Sequence, residues 1–258
     1  MKSLFLAQLV IIFQLLAVNP LFASEKTITL ASGSWPPYMS SELPEYGVLS
    51  ELVSRAFEEE GYRVEYGFYP WSRSMAMTRA GVSTGSLGWL KNDSREKDFF
   101  YSLPIWRTQD IIISRKDHQV HWNTVSDLKD YRIGASMGYY YGDEFQAMEK
   151  MGELDVERVM VESQNFKKLL VDRIDLMIAE KYVAQYWLEK TLLDSQIDKI
   201  KVGEIPLRDD SLYLIISRRE ADGAAIVESF NKGLIKLKQS GEYEKIVSKL
   251  INLNCEFC

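Results

Sequence analysis

Residues 85–106 read GSLGWLKNDSREKDFFYSLPIW. A small apolar segment, Ser86 to Leu90, runs directly into six charges between Lys91 and Asp98, then into an aromatic exit that ends at Pro104. The apolar part reads as the end of a buried strand. Asp93 with Glu96 three residues later has the pattern of a capping box, so a short helix is expected to start there with Arg95 in its first turn. A guanidinium beside the free N–H groups of a helix start favours an anion. The competing reading is a solvated, self-paired charge run. The flanking elements decide between the two.

Upstream, Thr27 to Ala31 alternates like a short strand and leads into Ser32-Gly33-Ser34-Trp35-Pro36-Pro37-Tyr38. Two consecutive prolines stiffen this loop and hold Trp35 and Tyr38 in place. Between Gly47 and Gly61, Leu49, Leu52, Val53, Ala56 and Phe57 recur at helical spacing, which predicts an amphipathic helix. Val64, Tyr66 and Phe68 predict a second strand ending at Pro70, and Trp71-Ser72-Arg73 opens a helix to about Ala80. Gly81 to Trp89 is the third strand. The order βαβαβ implies a parallel sheet with its strand C-termini at one edge, where ligands of open α/β sheets bind. Trp35, Tyr38, Trp71, Arg73, Trp89 and Arg95 are therefore expected to gather there, which favours Arg95 as an anion anchor.

Downstream, Ile111 to Ser114 is a strand, and a second α/β unit follows. It has strands at Tyr131 to Ala135, Val156 to Val161 and Ile174 to Ala179. Helices carry Phe145, Met148 and Met151, then Phe166, Leu169 and Leu170, then the stretch from Glu180 to about Thr191. A last strand, Leu212 to Ile216, leads into two helices separated by Gly241. Two α/β lobes with a tail returning to the first describe a hinged cleft.

The whole chain has 258 residues, is 46% hydrophobic and carries a formal net charge of −6. Lys2, an apolar run from Leu4 to Val18 and small Ala23 read as a cleavable export signal over residues 1–23, since the run is too short to span a bilayer. Its removal takes away one lysine and no acid. The remaining chain is mildly acidic with no basic tract, which argues against nucleic acid or an anionic membrane surface as partner.

Taken together, the TITLASG strand with its aromatic-Pro-Pro-aromatic loop, SREKDFFYSLP, DLKDYRIGASMG, RIDLMIAE and QSGEYEKIVSKL resemble one family along the whole mature chain. It is the type II periplasmic solute-binding proteins of ABC importers, in the polar amino-acid branch (family 3). The resemblance implies two Rossmann-like lobes closing on a ligand, residues 24–109 with 211–258 as lobe 1 and 110–210 as lobe 2. It implies that Arg95 grips a ligand carboxylate, Glu180 its ammonium, and Trp35 stacks on it, with Tyr139 and Tyr140 facing them from the second lobe. It further implies a periplasmic monomer that serves an inner-membrane ABC permease, without cofactor or metal.

Two departures stand out. Leu90 occupies a place where the family usually has a hydroxyl, and Tyr139 and Tyr140 replace a Gly-Thr-Thr turn, which makes the cleft more aromatic. A cationic or aromatic amine is a plausible ligand, because Trp and Tyr faces favour cations. The same fold also serves ligand sensors and cyclohexadienyl dehydratases; in the latter case Glu180 would be a general acid.

Other motifs carry less. Gly134-Ala135-Ser136-Met137-Gly138 matches a nucleophile elbow, but the only histidines, His118 and His121, precede it in the chain. Those histidines with Cys255 and Cys258 would make four zinc ligands, yet the pairs are far apart and surface histidines are the better reading. Cys255 and Cys258 allow a disulfide, a redox pair or free thiols, and an oxidising periplasm favours the disulfide as a clip on the tail.

Overall fold

A computed structural model describes residues 26–203 and 205–251 of the chain. The expected signal segment and the Cys255–Cys258 pair lie outside the described residues. Lys26–Ser32 (β1) pairs in parallel with Tyr62–Phe68 (β2) and with Gly85–Leu90 (β3), as the βαβαβ reading requires. The crossovers are Val48–Glu58 (α1) and Trp71–Ala80 (α2). In α1, Leu49, Leu52, Val53, Ala56 and Phe57 are all fully buried, the stripe their spacing demands. Each large aliphatic chain so placed contributes about 1.5–3 kcal/mol.

Asp93–Glu96 (α3) is a single turn capped by Asn92, whose Oδ1 accepts from the Ser94 N–H at 2.9 Å. The cap therefore falls one residue earlier than the Asp93–Glu96 spacing suggests. Glu96 is instead drawn to Lys91 at 3.0 Å, so that part of the charge run is self-paired. Phe99–Tyr101 (β4) follows as a short strand.

Trp106–Arg115 (β5) is ten residues long and begins five residues before the expected strand Ile111 to Ser114. Beyond it come Arg132–Ser136 (β6), Asp143–Met151 (α4), Asp155–Val159 (β7), Ser163–Leu170 (α5), Leu176–Glu180 (β8) and Lys181–Thr191 (α6). Asp194–Ile197 (α7) and Ile200–Val202 (β9) precede Arg208–Ser217 (β10), and Gly223–Ser240 (α8) and Glu242–Ile251 (α9) close the described chain. Gly241 separates the last two helices in the left-handed conformation at φ 78°.

The sheet runs β2-β1-β3-β10-β5-β8-β6-β7, with β4 on β10 and β9 on β5. The arrangement β7-β6-β8 repeats β2-β1-β3, so the two halves share one architecture. Strands β5 and β10 belong to both. Near their shared middle they pair antiparallel with one another, Trp106 opposite Leu212 and Asp110 opposite Arg208. Beyond it β10 pairs with β3 and β5 with β8.

The apolar interior divides in the same way. Leu30, Leu52, Phe57, Leu87, Leu214 and Phe230 form one cluster. Ile113, Phe166, Met177 and Leu188 form a second, and Ile133, Phe145, Leu176 and Ile178 a third, on the two sides of the other half-sheet. Helix α8 returns to the first half, where a Cβ at Gly233 would sit 1.8 Å from the Ala56 carbonyl oxygen; only glycine allows that approach. No helix among the described residues is long and apolar enough to cross a membrane.

Candidate functional site

The C-terminal ends of β1, β2 and β3 build one wall of a cleft. After β1 the chain turns so tightly that the Tyr38 and Met39 N–H groups both donate to the Trp35 carbonyl, at 2.9 and 3.0 Å. The Pro36–Pro37 bond inside this turn is cis. Trp71, at the start of α2, lies across Gly33, where a Cβ would come within 2.2 Å of the indole. Trp89 anchors its ring by donating from Nε1 to Ser86 Oγ at 2.7 Å. The Trp71 ring stands edge-on to Trp89 at 5.1 Å and to Trp35 at 6.5 Å. The Arg95 guanidinium lies over the Trp89 ring at 5.2 Å, and among the described residues it forms no ion pair.

The loop from Ser136 to Gly142 supplies the facing wall. Its clamp is Arg158, which donates from Nη1 to the carbonyls of Ser136 (2.5 Å) and Tyr139 (3.1 Å). Glu149 grips the same guanidinium through Nε and Nη2, both at 2.7 Å. The Tyr141 hydroxyl accepts from the Ser136 N–H at 2.9 Å and tucks the loop inward. Tyr139 thereby meets Trp35 edge-on at 6.2 Å, and Tyr140 donates to Asp143 at 2.6 Å.

The floor is the shared strand pair. Residues of one face recur every second position along β5 and β10, which sets Thr108 and Asp110 beside Arg208 and Leu212. Arg208 reaches Asp110 Oδ2 with Nε at 2.8 Å and Nη2 at 2.6 Å. Burial pushes the Asp110 carboxyl up and Arg208 pulls it back down. Arg208 Nη1, Trp35 Nε1 and Thr108 Oγ1 are buried without a hydrogen-bond partner, and all three residues line the cleft. The cleft holds about 170 Å³.

Six of the nine residues expected at the site line this cleft: Trp35, Trp71, Trp89, Arg95, Tyr139 and Tyr140. Three do not. Arg73 is exposed and stacks over Tyr69 at 4.9 Å. Tyr38 is fully buried and Glu180 only 1% exposed, and they bind one another. Glu180 Oε1 accepts from the Tyr38 hydroxyl at 2.8 Å, and Oε2 accepts from the Tyr182 and Val183 N–H groups at 2.9 and 3.1 Å. Glu180 is thus the N-cap of α6. Burial, aided by the Asp110 charge, lifts its carboxyl to about 7 against those stabilising hydrogen bonds.

Thr108, Asp110, Arg208, Lys91 and Asn92 also line the cleft and escaped the sequence reading. The polar alternation Thr108-x-Asp110, just ahead of an apolar run, was the signal available. His118 lies 3.9 Å from Asp175, and among the described residues no group of three or more His, Cys, Asp or Glu is placed to hold a metal.

The family model described as bacterial extracellular solute-binding proteins, family 3, matches residues 28–252. A curated relative, the ABC transporter arginine-binding protein 1 of Escherichia coli K12, is 23% identical over 255 residues, covering 95% of this chain and 97% of its own. Among solved structures, an amino-acid ABC transporter substrate-binding protein of Streptococcus pneumoniae bound to L-arginine superposes with a TM-score of 0.69. It is 21% identical and spans 90% of this chain and 98% of that one. A histidine kinase sensor domain similar to periplasmic binding proteins gives a TM-score of 0.70 at 18% identity, over 88% of this chain and 97% of that one. The match across nearly the whole described chain, with the aromatic cleft at the edge where such folds bind ligands, makes it a solute receptor: the chain belongs to the bacterial extracellular solute-binding proteins, family 3.

Proposed function

We propose that the protein captures a small carboxylate-bearing solute, an amino acid or a related acid, in the cleft between residues 24–109 with 211–258 and residues 110–210. The observation that carries this reading is Arg95: a guanidinium that forms no ion pair among the described residues, steadied on the Trp89 ring at the cleft wall. Such a group binds a carboxylate through two parallel hydrogen bonds. Trp35, Trp71 and Tyr139 close around the rest of the ligand. Because the halves share only β5 and β10 in the sheet, closure brings the Tyr139–Tyr140 loop against the Arg95 wall. In this reading the protein is exported by its first 23 residues to the periplasm, works as a monomer and hands its solute to an inner-membrane ABC permease. The E. coli relative's name supports the transport role.

A dehydratase-like enzyme needs a proton donor at the ligand. Glu180 has the elevated carboxyl such a role demands, but it sits behind Tyr38, outside the cleft lining, which favours binding without turnover. Calorimetric titration of the wild type and Arg95→Ala with a carboxylate panel tests the proposal. Saturable binding lost in the variant supports it; equal affinity in the two proteins refutes it.

A further inference from the structure

The ligand-binding reading leaves open which carboxylates fit, and the polar atoms of the cleft narrow the class. Four ionised side chains line it: Lys91, Arg95, Asp110 and Arg208. Lys91 is paired with Glu96 at 3.0 Å, and Asp110 with Arg208 at 2.6 Å. The charge left over is the positive one on Arg95. Arg208 is held by Asp210 as well, at 3.9 Å, so the one lining cation without an ion pair among the described residues is Arg95, and a ligand cation would face it directly. The Trp89 ring, a natural seat for such a cation, is already covered by the Arg95 guanidinium.

The acid that the family resemblance assigns to an ammonium is not free to meet one. Glu180 spends one oxygen on the Tyr38 hydroxyl and the other on two backbone N–H groups, and it is 1% exposed. The aromatic rings of Tyr38 and Tyr182 pack at 6.4 Å, with Glu180 bonded to the one hydroxyl and to the backbone of the other residue. Asp110 has its charge balanced by Arg208. No acid of the lining is left to balance an ammonium.

The buried atoms without a hydrogen bond point the same way, although Arg208 Nη1 has a long ion-pair contact with Asp210 at 3.9 Å. Trp35 Nε1 and Arg208 Nη1 can only donate, and a Thr108 hydroxyl can donate as well as accept. Buried donors left without acceptors are costly, so a ligand whose acceptors come within reach of them as the lining side chains adjust gains by satisfying them. The remaining walls are the edge-on rings of Trp35, Trp71, Trp89 and Tyr139, together with Leu90 and Leu212, which face each other in register across β3 and β10. These surfaces suit a flat apolar body.

We infer that the cleft is specific for a planar aromatic carboxylate that carries hydrogen-bond acceptors at its other end and no ammonium group, and so for 2-oxo or aryl acids rather than α-amino acids. This inference rests on the carboxylate-receptor reading above. The test uses matched pairs that differ only at the amine: L-tyrosine against 4-hydroxyphenylpyruvate, and L-phenylalanine against phenylpyruvate, with L-arginine as the basic comparator. Kd is measured by calorimetry on wild type and on Arg95→Ala. The expected result is that the oxo acid of a pair binds at least tenfold more tightly than its amino acid, that 4-hydroxyphenylpyruvate exceeds phenylpyruvate, and that L-arginine is weaker than either. An amino acid or L-arginine binding as tightly as the oxo acids, with binding lost in Arg95→Ala, overturns the inference and leaves the receptor reading standing. Absence of binding by the whole panel, or binding indifferent to Arg95→Ala, overturns the carboxylate reading and the inference with it.

Discussion

Tyr38 and Glu180, 142 positions apart, share a buried hydrogen bond of 2.8 Å between hydroxyl and carboxylate. Trp106 Nε1 donates to the same hydroxyl oxygen at 3.0 Å, so the tyrosine proton is directed at Glu180. The turn after β1 is thereby tied to the end of β8, and an acid is sealed inside.

That acid makes stability depend on pH. Burial raises the folded carboxyl to about 7 from an ordinary value of 4.5. The folded state holds its proton more tightly than the unfolded chain does, so its contribution is complete below pH 4.5 and is lost as pH rises through about 7. Asp110 and Glu162, both raised mainly by burial, act in the same direction. Urea denaturation between pH 4.5 and 7 should show stability falling with pH, with a share of up to about 3 kcal/mol from Glu180. In Glu180→Gln that decline should be shallower. Parallel slopes in the two proteins would remove Glu180 from the explanation.

Arg95→Lys keeps the charge but loses the planar fork and its stacking on Trp89. Carboxylate affinity should fall by roughly tenfold, about 1.4 kcal/mol, by calorimetry. The Arg95→Ala loss should be larger, about 2–5 kcal/mol. Equal affinities for lysine and arginine at this position would mean that only charge is read.

Gly33→Ala forces a methyl to within 2.2 Å of the Trp71 indole. The ring must leave its place between Trp35 and Trp89, at an overpacking cost of about 1–3 kcal/mol. A lowered Tm together with altered tryptophan fluorescence is the expected signature. A changed Tm with an unchanged emission spectrum would mean that the backbone, not Trp71, gives way.

Arg158→Gln removes the clamp on the loop that carries Tyr139. The variant should lose about 1–3 kcal/mol of stability and bind its ligand more weakly, although Arg158 does not line the cleft. Hydrogen exchange at residues 137–142 should quicken; unchanged protection there would place the ordering of the loop elsewhere.

Arg208→Met leaves Asp110 buried without its partner and should cost about 3–5 kcal/mol, more at neutral than at acid pH. The double variant with Asp110→Leu should recover much of that loss. Thermal unfolding of the single and double variants measures the recovery, and strict additivity would contradict a coupled pair.

Much of this architecture is legible from residue order. The Leu49–Phe57 spacing, the strand at Thr27 and the Gly241 break predict elements that the structure contains, because each is set by burial or by local backbone geometry. The convergence of Trp35, Trp71, Trp89 and Arg95 follows from strand polarity alone. The floor does not. Thr108, Asp110 and Arg208 lie on strand halves facing a cleft rather than a core, so their polar pattern resembles a linker. Nor does local sequence say that Glu180 caps the helix it precedes and meets Tyr38, since that pairing depends on how the two halves are set against one another. The short strands at Phe99 and Ile200 are defined by their partners, β10 and β5, more than by their own residues.

The strand pair β5 and β10 also fixes where motion can be felt. If the halves turn about the residues they share, displacement grows with distance from that line, as it does along a lever. Thr108, Asp110 and Arg208 sit at the fulcrum and barely move, while Arg95 and the Tyr139 loop lie further out and sweep the larger arc. One end of the solute would then be read by an unmoving gauge before closure, and only its other end would feel the jaws.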